Sequence, residues 1–163
     1  MTDLHLEILS LFEENARLTT EQIAHLVNEP LEKVQTIIRQ FEDEQIILKH
    51  RTIIDWKKAG RPRVTALIDV KVTPQHGYGF DALAQRIYHY PEVKDVYLMS
   101  GAYDLSVSLE VPTMEAVGQF VTEKLAPLEF VVSTTTHFVL KKFKEDGIPL
   151  DKPNQDRRIS VIP

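Results

Sequence analysis

The sequence predicts an α+β protein in two parts, on three observations. Up to about residue 45 the apolar residues recur every three or four positions, the spacing of helices that bury one stripe. From residue 64 to 142 a strand–helix–strand pattern occurs twice, with period-two strands. Between them lies a short run dense in Lys, Arg, Gly and Pro.

Residues 3–15 carry Leu4, Ile8, Leu11 and Phe12 on one stripe and predict a first helix. Thr19 opens a second. It can cap, Gln22 three residues on completes a capping box, and Leu18 and Ile23 form a hydrophobic staple. Ile23, Leu26 and Val27 make its buried face. Asn28-Glu29-Pro30 breaks it, and Pro suits the first turn of a third helix, where a missing N–H costs nothing. That helix buries Leu31, Val34, Ile38 and Phe41 and shows Lys33, Gln35, Thr36, Arg39 and Gln40. Residues 46–48 and 49–54 then read as the two strands of a small basic hairpin. Trp56 ends it as an anchor between domains.

Three helices with a tight break before the third, followed by a basic hairpin, describe a winged helix-turn-helix over residues 1–56. The third helix would enter the major groove of double-stranded DNA. Lys33, Gln35, Thr36, Arg39 and Gln40 would reach base edges and phosphates, with Lys49 and Arg51 contributing from the hairpin. A three-helix adaptor with a merely solvated polar face fits the helices equally. The basic hairpin favours DNA.

Residues 57–63 predict a basic linker, and Gly60-Arg61-Pro62 within it suits a hinge. The second domain spans 64–145. Its first unit runs from a strand at 64–72 through Pro74 and a helix at 80–90 to a strand at 93–99. Its second runs from a strand at 105–111 through a helix at 113–125 to a strand at 131–142. The helices bury Phe80, Leu83, Ala84 and Ile87, then Met114, Val117, Phe120 and Val121. Strand–helix–strand twice, joined by a hairpin, is the ferredoxin-like βαββαβ arrangement, with both helices on one sheet face. Leu67 and Tyr97 fall in the opposite phase and leave the other face partly apolar, which suggests dimerisation. Residues 146–163 form a polar tail whose Ile159, Val161 and Ile162 hint at docking.

The connection at 100–104 is unusual for a hairpin turn. It holds Gly101, the hydrogen-bonding Ser100 and Asp104, and the aromatic Tyr103. Glycine lets backbone N–H groups approach a small polar ligand. A loop in which Asp104 satisfies its own turn is the plainer alternative.

Composition narrows the function. The 163 residues carry a net charge of −5, which by itself argues against a nucleic-acid binder. The average hides an asymmetry: residues 1–48 carry −7 and residues 49–63 carry +5. No cysteine is present, which excludes disulfides and thiolate chemistry and suits a reducing cytoplasm. The N-terminal residues lack a signal-peptide layout and no run is long enough to span a membrane. The six histidines show no metal-ligand spacing, and no nucleophile motif or phosphate loop occurs. Neither an enzyme, a metal nor a cofactor is therefore expected.

In this order, the pieces resemble the leucine-responsive/asparagine (Lrp/AsnC) family of transcription regulators. The resemblance rests on Asn15-Ala16-Arg17-Leu18-Thr19, on Met99-Ser100-Gly101-Ala102-Tyr103-Asp104-Leu105, and on the last strand from Ser133 to Lys142. It implies a DNA-binding regulator that assembles as a dimer through the sheet, often as an octamer of four dimers, and binds an amino acid or similar metabolite between dimers. Carried over by position, the effector contacts are Ser100, Gly101, Ala102, Tyr103 and Asp104, with Thr134 and Thr136. Asp104 would accept from an ammonium, while Gly101, Ser100 and the threonines would donate to a carboxylate. The chain departs from the family pattern at Pro30, where a Ser cap is usual, and at Thr36-Ile37, where Arg is common. The third helix is thus less basic than usual. An architectural DNA-wrapping protein without an effector, and a small-molecule sensor that contacts protein rather than DNA, are the alternatives.

Overall fold

The computed structural model describes residues 1–73 and 80–150. The chain divides into two compact units, Met1–Ile53 and Ile54–Pro163. Pro74 and Gly79, and the docking suggested for Ile159, Val161 and Ile162, lie outside the described residues.

The first unit is three helices: α1 (Asp3–Glu14), α2 (Thr20–Leu26) and α3 (Leu31–Asp43). Ile8, Ile23, Ala24, Val34, Ile37, Ile38 and Phe41 form its core. Leu26 is not part of it; it is 54% exposed, and Ala24 takes the inward position. The seven-residue α2 is too short to hold itself together, so its ends matter. Thr19 accepts from the Gln22 N–H, and the Gln22 side chain accepts from the Thr19 N–H, the capping box in both directions. Asn28 ends α2 at φ 53°, with the Glu29 N–H donating back to the Ala24 carbonyl. Gln45 ends α3 the same way at φ 56°, with Ile46 donating to Phe41. Both are Schellman-type stops that use a non-glycine residue in the left-handed region. Pro30 occupies the cap of α3 and makes no side-chain bond there.

The expected basic hairpin over 46–54 is not formed: no strand lies between α3 and residue 64. An isolated two-stranded hairpin is marginal in water, and Leu48, which would have to pack, is 83% exposed. The start of the expected linker at 57–63 folds into a hydrogen-bonded turn with the residues before it. Asp55 accepts from the Lys58 N–H at 3.0 Å, Ala59 donates to the Asp55 carbonyl, and Arg61 donates to the Trp56 carbonyl. Gly60 at φ 77° permits that reversal.

The second unit is a four-stranded antiparallel sheet in the order β2-β3-β1-β4, made of β1 (Val64–Val72), β2 (Val93–Leu98), β3 (Leu105–Val111) and β4 (Val131–Phe138). Helices α4 (Phe80–Tyr88) and α5 (Met114–Gln119) connect the parallel pairs, giving the ferredoxin-like split topology. Ala66, Ile68, Val70 and Val72 of β1 and Leu105, Val107, Leu109 and Val111 of β3 point to one face. There they meet Leu83 and Ile87 of α4, Val117 of α5, and Phe120 and Leu125. Met114 is exposed, and Phe80, Ala84 and Val121 are half-buried. The predicted helix at 113–125 changes character part-way: Phe120–Leu125 is a π-helical continuation of α5. Its wider turn keeps both Phe120 and Leu125 inward. β4 ends at Phe138, four residues short of the expected end, and a small β5–β6 hairpin (Lys144–Glu145, Ile148–Pro149) straddles the expected boundary between domain and tail at 145/146.

Candidate functional site

In the first unit, α3 carries the expected DNA face. Its inward residues Val34, Ile37, Ile38 and Phe41 leave Lys33, Thr36, Arg39 and Gln40 exposed and Gln35 half-buried. Most of these are engaged locally. Lys33 pairs with Glu29 at 2.8 Å, Gln40 donates to Glu44 at 2.8 Å, and the Thr36 hydroxyl donates to the Glu32 carbonyl at 2.8 Å. Exposed pairs of this kind are worth about 0–1 kcal/mol, so a phosphate can displace them cheaply. Arg39 has no ion-pair partner among the described residues. Lys49 is exposed on the segment that forms no hairpin, as is Arg51.

In the second unit, the loop at 99–104 is fastened to the end of β1. The β1–β3 ladder closes at Val70↔Leu105, and β1 runs two residues further. Asp104 takes over there. Its N–H donates to the Val70 carbonyl, and its carboxylate accepts from the Val72 N–H at 2.8 Å and from the Lys71 ammonium at 3.3 Å. The Val72 hydrogen bond, helped by Lys71, holds the Asp104 carboxyl below its ordinary pKa. Met99 donates to the Asp104 carbonyl and closes the loop. Tyr103 reaches across the open sheet face, its hydroxyl 2.9 Å from that of Thr135.

The structure thus brings Tyr103 and Asp104 together but divides the rest of the expected set. Residues opposite each other in a ladder share a face. Thr134 opposes Val70 and Thr136 opposes Ile68, so both lie on the helix-side face. Thr135, opposite Asp69, shares the open face with Tyr103. Register, not residue type, selects Thr135 over its two threonine neighbours. Asp104 is likewise occupied by Val72 and Lys71 and serves as an anchor rather than a waiting acceptor. Ser100, Gly101 and Ala102 are exposed at the tip. Gly101 adopts no left-handed conformation, and a Cβ there would meet nothing within 4 Å. The turn does not need a glycine, which leaves room for a ligand as the reason for one.

Residues 65–149 match the model of the Lrp/AsnC ligand binding domain. The chain belongs to the Lrp/AsnC family. This Lrp/AsnC protein is 49% identical over 164 residues to the uncharacterized HTH-type transcriptional regulator YugG of Bacillus subtilis, a match that covers 100% of this chain and 99% of YugG. Among solved structures, MtbAldR superposes with a TM-score of 0.75 at 25% identity, covering 87% of this chain and 95% of that one. A Neisseria meningitidis transcriptional regulator solved in complex with L-Met superposes at 0.73, with 22% identity over 89% and 93% of the two chains, which shows a shared fold. The protein is accordingly a transcriptional regulator of Lrp/AsnC type, with a helix-turn-helix DNA-binding unit followed by a ligand-binding domain. No helix among the described residues is long and apolar enough to cross a membrane.

Proposed function

We propose that this regulator senses an amino acid or a closely related metabolite at the 99–104 loop and that occupancy changes its assembly or its affinity for DNA. The observation that supports the reading is the anchored loop: Asp104 and Tyr103 hold its base to β1 and β4, while the tip presents the backbone of Ser100, Gly101 and Ala102. A rigid base with open N–H groups suits a carboxylate, and exposed carbonyls suit an ammonium. The relative that carries L-Met in its structure is consistent with that ligand class. The ligand can shift assembly only by its differential affinity for the two states. A homodimer formed through the open sheet face would read paired half-sites about one helical turn, ~34 Å, apart.

The test is a thermal-shift screen against the amino acids and their keto acids. A ligand at ~100 times its dissociation constant adds about 2.7 kcal/mol of stability, a readily visible shift. Asp104→Ala should lose the response by releasing the loop. Gly101→Ala should melt within ~0.5 kcal/mol of wild type, because nothing opposes the new methyl, yet bind the ligand at least tenfold more weakly. No hit with any compound, alongside DNA binding of weak sequence preference, would instead favour the architectural reading.

A further inference from the structure

A second feature of the ligand-binding unit lies at the other end of β1. Thr65, opposite Glu110, is seven residues from Val72, roughly 20 Å along the strand. A cavity of about 220 Å³ opens there between the turn that begins the unit and the segment that follows β4. Trp56, Pro62, Leu140 and Leu150 give it apolar walls, and Thr65 and Glu110 line it as well.

Its charges are uneven. Among the lining residues the cations are Lys57, Arg63, Lys141 and Lys142, against Asp55, Glu110 and Glu145, and Lys58 and Lys94 reach in to pair with Asp55 and Glu110. Glu110 is already served by Arg63 at 2.9 Å, Lys94 at 3.5 Å and Lys142 at 3.7 Å. Burial pushes its pKa up, but Arg63, Lys142 and Lys94 outweigh that and hold the carboxyl below its ordinary value. Lys142 also pairs with Glu145 at 2.8 Å, and Lys58 with Asp55 at 3.1 Å. The three anions are therefore spoken for, in a protein that is acidic as a whole. Lys57 lines the cavity and has no ion-pair partner among the described residues. Arg63 sits 4.2 Å from the centre of the Trp56 ring, which holds the indole in place as one wall.

We propose that this cavity is a second small-molecule site, separate from the 99–104 loop, which takes a small organic anion: a carboxylate that meets Lys57, on an apolar body packed against Trp56 and Leu150. The volume suits a metabolite rather than a nucleotide-sized cofactor, since pockets for larger ligands run to ~300–1,000 Å³. The lining residues 54–57 open the unit and follow directly in sequence on the three-helix unit, so an occupant orders the segment through which the chain enters the ligand-binding domain.

Trp56 is the sole tryptophan, so tryptophan emission reports on the surroundings of this cavity wall. The intact protein is titrated with phenylacetate and with phenethylamine, the same body with the opposite charge. The expected result is a saturable change with phenylacetate below ~10 mM, none with phenethylamine, and at least tenfold weaker binding in Lys57→Gln that Lys57→Arg restores. Lys57 is exposed, so neither substitution threatens folding. Equal responses to both compounds, no response to phenylacetate, or unaltered binding in Lys57→Gln would overturn the proposal. So would an emission change driven by protein concentration alone, which would mean that a second copy of the chain covers the cavity.

Discussion

At the residue scale, Asp104 shows how one side chain can do the work of a strand. Just before β3 begins, its carboxylate accepts the Val72 N–H that an earlier strand residue would have taken. Its lowered pKa has a consequence for stability. A carboxyl whose pKa is lower folded than unfolded stabilises the fold above its unfolded value, near 4, and loses that contribution as pH falls through the folded value. Asp104→Asn should therefore lower the melting temperature at neutral pH, and the gap from wild type should narrow as the pH drops below ~4. Melting curves across that range check this; a constant gap would rule out the linkage. Thr135 carries a related lesson. It stands between two equally plausible threonines, and only the pairing of β4 with β1 puts its hydroxyl at Tyr103.

At the scale of elements, the caps decide which helices exist. The α2 helix has seven residues and a complete capping box, so Thr19→Ala should cost about 1 kcal/mol, read from chemical denaturation. The α3 helix has no capping side chain at Pro30 and relies on its apolar face instead. Its exposed face is mixed in charge, with Lys33 and Gln40 held by acidic neighbours and Arg39 unpaired among the described residues. Arg39→Ala should weaken binding to all DNA sequences alike and flatten the log–log salt dependence of affinity by ~1. An unchanged slope in a salt series would place Arg39 away from the phosphates. The strands at Val64–Val72 and Leu105–Val111 sit where apolar residues recurring at every second position predict them, because each buries one face. The π-helical turn at Phe120–Leu125 has no such signature: the apolar residues look helical, and only packing against the sheet widens the turn.

At the scale of the molecule, one face of the sheet in the ligand-binding unit carries no helix among the described residues. Leu67 is 42% exposed and Tyr97 56%, among Asp69, Ser106, Ser108 and His137. His137 lies 3.2 Å from Asp69 there. A partly apolar face of this kind suits a self-complementary two-fold contact. If the regulator dimerises through it, Leu67→Asp should shift the protein towards monomer in analytical ultracentrifugation while leaving the helix-side core, built from the alternate residues, folded. An unaltered sedimentation coefficient would move the dimer contact elsewhere.

Periodicity and local chemistry were enough to specify the βαββαβ order, the three N-terminal helices and the capping box, because each depends on residues within a few positions of one another. Local residue types also single out the 100–104 loop, the effector site proposed above. What they could not reach depends on pairing across the chain. The hairpin at 46–54 has β-forming residues but no sheet to join, so propensity alone misplaces it. The division of Thr134 and Thr136 from Tyr103, the occupation of Asp104 by Val72 and Lys71, and the charged cavity beside Trp56 all follow from which strands lie side by side and in what register. A shift of one residue would turn every one of those side chains to the other face.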